Sequence, residues 1–186
     1  VSGWVSLSER FGKLPFADLL APAIRYAEEG FLVTPVVARV WRGLKVQYLK
    51  FPEILNCYYA EGAVPAPGAL MKLPVLAQSL RQIAATKGQA LYCGELAQRM
   101  SAYAQATNGH LAMSDLAAHQ AQWVTPLQIK YRGATLYEMP PNSQGIAALI
   151  ALGLLERWDM SLYKPDSADA IHLQIEATRL AFAETY

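Results

Sequence analysis

The chain has 186 residues, 53% of them hydrophobic, which is enough for a cored domain and excludes disorder over its bulk. Sixteen basic residues stand against fifteen acidic ones, so a net charge of +1 supplies no long-range field to gather nucleic acid or an acidic membrane. The longest apolar stretch, Ile146 to Leu155, would rise only about 15 Å as a helix against a hydrocarbon core of about 30 Å, so no membrane span is expected.

Helical patterning dominates the first two thirds. An amphipathic stretch from Trp4 to Phe11 is followed by Phe16 to Leu20, and Pro22 then opens a separate helix, Ala23 to Glu29, stopped by Gly30. Thr34 as N-cap and Pro35 in the first turn predict a helix over Val36 to Tyr48, with Val37, Val40, Trp41 and Leu44 toward the core. Asn56 to Lys72, with two prolines and two glycines, reads as a long surface loop. Pro74 opens a helix to Ala85, Gly94 one to Thr107 that ends at Asn108-Gly109, and Ser114 caps a short helix from Asp115 to His119.

The period changes at Trp123. Leu127 to Tyr131 alternates, Arg132-Gly133 supplies a tight turn, and Ala134 to Met139 returns as the second strand of a hairpin that should belong to a larger sheet. Pro140-Pro141 breaks that strand, Asn142 or Ser143 caps an apolar helix through Trp158, and Ala168 to Glu184 forms the last helix. The expected organisation is α+β and helix-rich: 1–121 mainly helical, 122–142 a β-hairpin and 143–186 helical. A start at Val1 and a stop at Tyr186 inside an unfinished helix suggest a piece of something larger.

Complete chemical constellations are missing. His110, His119 and His172 lack ligand spacing, so no metal is expected; the phosphate-binding glycine motifs and the Gly-x-Ser-x-Gly elbow are absent, so no cofactor is expected. Glu28 and Glu29 diverge on a helix and read as a solvated end. Cys57 and Cys93 read as free, packed thiols. One segment stands out, Met139 to Gly145 between a strand and an apolar helix. The helix start offers N–H donors and partial positive charge to a carboxylate or oxyanion, and Asn142 and Ser143 add polar atoms; capping is the structural use of the same residues.

Several segments together resemble the γ-glutamyltransferase (γ-glutamyl transpeptidase) family. They are Arg10-Phe11-Gly12-Lys13-Leu14-Pro15, Leu20-Ala21-Pro22-Ala23 through Glu28-Glu29-Gly30-Phe31, Tyr92-Cys93-Gly94-Glu95, Trp123-Val124-Thr125-Pro126-Leu127, Tyr131-Arg132-Gly133, Met139-Pro140-Pro141-Asn142-Ser143-Gln144-Gly145 and Glu176-Ala177-Thr178-Arg179. Asn142 stands where the family commonly has a third proline.

The resemblance implies the later part of the family's large subunit, a portion of an N-terminal nucleophile hydrolase αββα sandwich. It implies a self-cleaving precursor whose exposed threonine takes the γ-glutamyl group of glutathione-like donors and passes it to water or an amino acid. Thr34, Thr86, Thr107, Thr125, Thr135, Thr178 and Thr185 all lack the processing junction, so the expected catalytic set in this chain is empty and the chain alone is expected to be inactive. Asn142 and Ser143 are the candidate substrate-contacting residues. The implied partners are the nucleophile-bearing small subunit, the rest of the large subunit and a small γ-glutamyl substrate. Self-association through open strand edges and export to the periplasm or medium are further expectations. A cephalosporin or glutaryl acylase of the same family, and a non-catalytic helical interaction module, are the alternatives.

Overall fold

The computed structural model describes residues 1–59 and 62–185. It divides into two compact units, Val1–Ala121 and Gln122–Tyr186.

In the first unit α1 (Ser2–Phe11), α2 (Phe16–Glu29), β1 (Phe31–Leu32), α3 (Pro35–Tyr48), α4 (Pro52–Tyr58), β2 (Leu70–Met71), α5 (Pro74–Ala85), α6 (Gln89–Tyr92), α7 (Glu95–Ala106) and α8 (Met113–Ala118) follow in order. Phe16, Leu20, Ile83 and Leu96 form its core, with Val1, Val5, Ile24, Leu80 and Leu91 packed against them. Each of those four side chains contributes roughly 1.5–3 kcal/mol of burial. The pair of helices expected on either side of Ala21 is one helix. Phe16, Leu20 and Ala27 are buried on one stripe while Pro22 is exposed on the opposite side, so packing carries the helix through the proline.

Gly30 ends α2 at φ +103°, where a Cβ would stand 2.9 Å from Leu70 Cδ1 and Met71 O. That approach lets β1 pair antiparallel with β2, Phe31 opposite Met71 and Leu32 opposite Leu70, and Leu73 N–H donates to Ala27 O at 2.7 Å. The expected loop 56–72 is therefore corrected: α4 runs to Tyr58, Tyr59 is buried, and β2 lies near its end; Ala60 and Glu61 lie outside the described residues. The core face of α3 is corrected as well. Ala38 is its buried residue, Val37, Trp41 and Leu44 are half-buried, and Val40 is exposed, because the smallest side chain permits the closest approach. In α8 the helix begins at Met113, and Asp115 Oδ2 accepts from Ala112 N–H at 2.9 Å; Ser114 is inside the helix and is not its cap. Asn108 at φ +57° closes α7 as expected, with Gly109 N–H donating back to Ala104 O at 2.6 Å.

The second unit holds β3 (Leu127–Tyr131), β4 (Ala134–Glu138), α9 (Gly145–Leu155), a single 3-10 turn (Met160–Leu162) and α10 (Ala168–Thr185). The hairpin has the expected register, Tyr131 opposite Ala134 and Leu127 opposite Glu138. Arg132 (φ +49°) and Gly133 (φ +81°) form the left-handed pair that suits the twist of a two-residue hairpin. Both ends of α9 are fixed to the hairpin. A Cβ on Gly145 would collide with the Glu138 carboxylate, and one on Gly153 would lie 2.8 Å from Ile129 Cδ1. Arg132 Nη2 donates to Trp158 O at 2.7 Å, tying the hairpin turn to the chain just after the helix. On another side α9 receives α10, which buries Ala170, Ala177 and Ala181. The helix stops at Leu155 with turns continuing to Trp158, three residues short of the expected end.

Candidate functional site

The segment between β4 and α9 places Asn142 and Ser143 in an exposed turn, and neither side chain makes a hydrogen bond among the described residues. Neither is the N-cap. Gln144 occupies that position without a side-chain cap bond, because the turn over Pro141 and Asn142 delays the helix to Gly145. The Glu138 carboxylate packs over Gly145, so a negative group of the chain itself already stands at the positive end of α9. Sequence reasoning missed Glu138; the signal was a carboxylate at the end of a strand followed, across a turn, by a glycine that lets it approach.

The far end of α9 carries a second polar cluster. Asp159 Oδ1 accepts from Ser161 Oγ at 2.6 Å and from Ser161 N–H at 3.0 Å. The Ser161 hydroxyl first, then its amide, hold the Asp159 carboxyl below the ordinary carboxylate range, with Arg132 adding to the effect.

In the first unit, Ser2 Oγ lies 2.9 Å from His119 Nε2, and Ser2 N–H donates to the Tyr92 hydroxyl at 2.9 Å. His119 stacks on Tyr92 with centroids 5.2 Å apart. A serine and a histidine in contact are the beginnings of an acyl-transfer pair, yet no carboxylate hydrogen-bonds to His119 among the described residues, and Asp115 is engaged by Ala112. The contact serves as a tie between the starts and ends of α1, α6 and α8.

Five of the seven threonines are committed to backbone. Thr86, Thr107, Thr178 and Thr185 donate to the carbonyl four residues earlier at 2.7–3.0 Å, and Thr34 caps α3. Cys57 and Cys93 are free thiols, exposed rather than packed as expected. The Glu28 end of the carboxylate pair meets Arg81 in an exposed ion pair. No group of three or more metal-ligating side chains occurs among the described residues, and no helix there is long and apolar enough to cross a membrane.

Comparison with known proteins gives the family and the fold. The described fold superposes on the crystal structure of cephalosporin acylase from Bacillus halodurans with a TM-score of 0.90 at 37% identity, covering 97% of this chain and 34% of that one. The fold is thus a portion of an N-terminal nucleophile hydrolase. The sequence model of gamma-glutamyltranspeptidase matches residues 1–186, and the chain belongs to that family. It is 32% identical to a glutathione hydrolase-like YwrD proenzyme of Bacillus subtilis (strain 168) and 34% identical to an acylase ACY 1 proenzyme of Pseudomonas sp. (strain V22), in both cases over 99% of its own length. It spans 35% and 33% of those relatives, about a third of each.

Proposed function

We propose that this chain is the later part of the large subunit of an enzyme that moves a γ-glutamyl group from glutathione-like donors to water or an amino acid. The match of one family over residues 1–186, at about a third of its relatives' length, carries the reading. The bond-making group is a threonine exposed by self-cleavage in a separate small subunit, its hydroxyl attacking the amide carbonyl while its own amine takes the proton. This portion positions that subunit, and alone it is inactive. The hairpin of β3 and β4 finds its further sheet neighbours in the rest of the enzyme. Export to the periplasm or medium follows the same reading.

Asn142 and Ser143 are the proposed contacts to substrate, supported by unengaged polar side chains in a turn held between Glu138 and Gly145. In the active full-length enzyme, Asn142→Ala and Ser143→Ala should each raise KM several-fold, on the order of one hydrogen bond, with kcat little changed. Unchanged KM in both variants would remove them from the site.

An acylase acting on a glutaryl or cephalosporin side chain is the second reading, favoured by the 37% identity to a cephalosporin acylase and the 34% identity to an acylase ACY 1 proenzyme. Expression from natural start to natural stop, followed by intact mass and N-terminal sequencing, tests the common part: two chains are expected, the smaller beginning with threonine. A single uncut chain without activity would move the function to a non-catalytic relative. Turnover of a γ-glutamyl anilide against a glutaryl anilide then separates the two substrates.

A further inference from the structure

The near-neutral total conceals one uneven segment. Between Glu29 and Glu53 stand Arg39, Arg42, Lys45 and Lys50 and no acidic residue. None of the four forms an ion pair among the described residues. At about 100° per residue, Arg39, Arg42, Val46, Leu49 and Lys50 fall within an arc of about 100° on the outward side of α3 and its C-terminal turn. Val46 is 74% and Leu49 58% exposed, and Phe51 is exposed beside Lys50, whose ammonium lies 5.5 Å from its ring centroid.

The opposite side of α3 is anchored. Trp41 meets Tyr58 edge-on at 5.8 Å and Tyr59 at 6.4 Å, and the Tyr59 hydroxyl donates to Trp41 O at 2.9 Å. The outward face is therefore presented by a held helix, and it combines long basic stems with short aliphatic tips. Such a combination suits the boundary between phosphate headgroups and acyl chains, where the aliphatic tips enter and the charges stay with the phosphates. A nucleic-acid duplex would meet the same charges but leave Val46 and Leu49 without a use, and an acidic protein surface would have to supply apolar pockets between its carboxylates.

We infer that the outward face of α3, with the turn Leu49 to Phe51, is a docking site for an anionic lipid surface. The inference is independent of the acyl-transfer reading. Flotation of the full-length protein with vesicles, which leaves self-associated protein at the bottom of the gradient, tests it. Binding is expected to vesicles of about one-third phosphatidylserine in phosphatidylcholine and not to phosphatidylcholine alone, and to be lost as salt rises from about 0.1 to 0.5 M. The charge reversal Arg42→Glu/Lys50→Glu should lower partitioning more than about twenty-fold, at roughly five-fold for each charge removed, and Val46→Ser/Leu49→Ser should lower it at unchanged charge. All four positions are exposed, so far-UV circular dichroism should not change. Equal binding to neutral vesicles, no binding, or insensitivity to the charge reversal would overturn the proposal. So would binding to polyglutamate or duplex DNA without binding to vesicles, which would assign the face to an acidic polymer.

Discussion

Tyr59 shows how one side chain links packing to pH. It is 3% exposed, and burial first, then the neighbouring Tyr48 phenol, raise its pKa above the ordinary tyrosine value. A raised folded-state pKa means that its stabilising contribution is complete below the unfolded value of about 10 and is lost as pH rises through the folded one. Equilibrium unfolding in urea should therefore show stability falling above about pH 10. Tyr59→Phe should remove that alkaline loss while costing about 1 kcal/mol at neutral pH, since Trp41 O loses its donor. Gly30 is the complementary case, fixed by conformation rather than titration. With φ at +103° and Leu70 2.9 Å from any added Cβ, Gly30→Ala should destabilise the chain by about 1–3 kcal/mol in the same assay.

Among the elements, glycines in two helices have opposite meanings. Gly153 in α9 faces Ile129, and Gly153→Val should cost about 1–3 kcal/mol through overpacking. Gly43 in α3 has nothing within 4 Å of an added Cβ, and Gly43→Ala should stabilise by about 0.5–1 kcal/mol, read as a higher urea midpoint at constant slope. The same scale explains what could be read in advance. Thr34-Pro35 and Pro74 announce α3 and α5 because a cap or a proline in the first turn acts locally, and Arg132-Gly133 announces the hairpin for the same reason. The helices α4 and α6 are too short to establish a period, and β1 and β2 are two residues each, fixed by closure of Gly30 on Leu70. The candidate site was legible as a place, between β4 and α9, while its arrangement was not. Whether Asn142 or Ser143 caps depends on where the helix starts, and the turn over Pro141 and Asn142 sets that start.

For the whole molecule the telling feature is apolar surface. On α1, Trp4, Leu7 and Phe11 recur at helical spacing and are more than half exposed. On α10, Ile171, Ile175 and Leu180 are exposed, and α9 is apolar around its circumference, a pattern of helices covered on several sides. Together with an unpaired edge on each side of the β3–β4 hairpin among the described residues, this surface should make the 186-residue chain self-associate. Light scattering should show a mass that grows with concentration, and the full-length protein should lose that growth; a strictly monomeric chain at high concentration would contradict it.

Pro22 also imposes an order of events. Having no N–H, it leaves the Asp18 carbonyl without its usual helical donor, so α2 is one helix with a missing hydrogen bond in its first half, held through that turn by a stripe of packed side chains. A helix of 14 residues that lacks one bond does not persist in water by itself. Phe16 and Leu20 must therefore meet Ile83 and Leu96 before the first half of α2 is stable, and its amides should exchange with solvent at the rate at which that core opens, not at the rate of a fraying helix end.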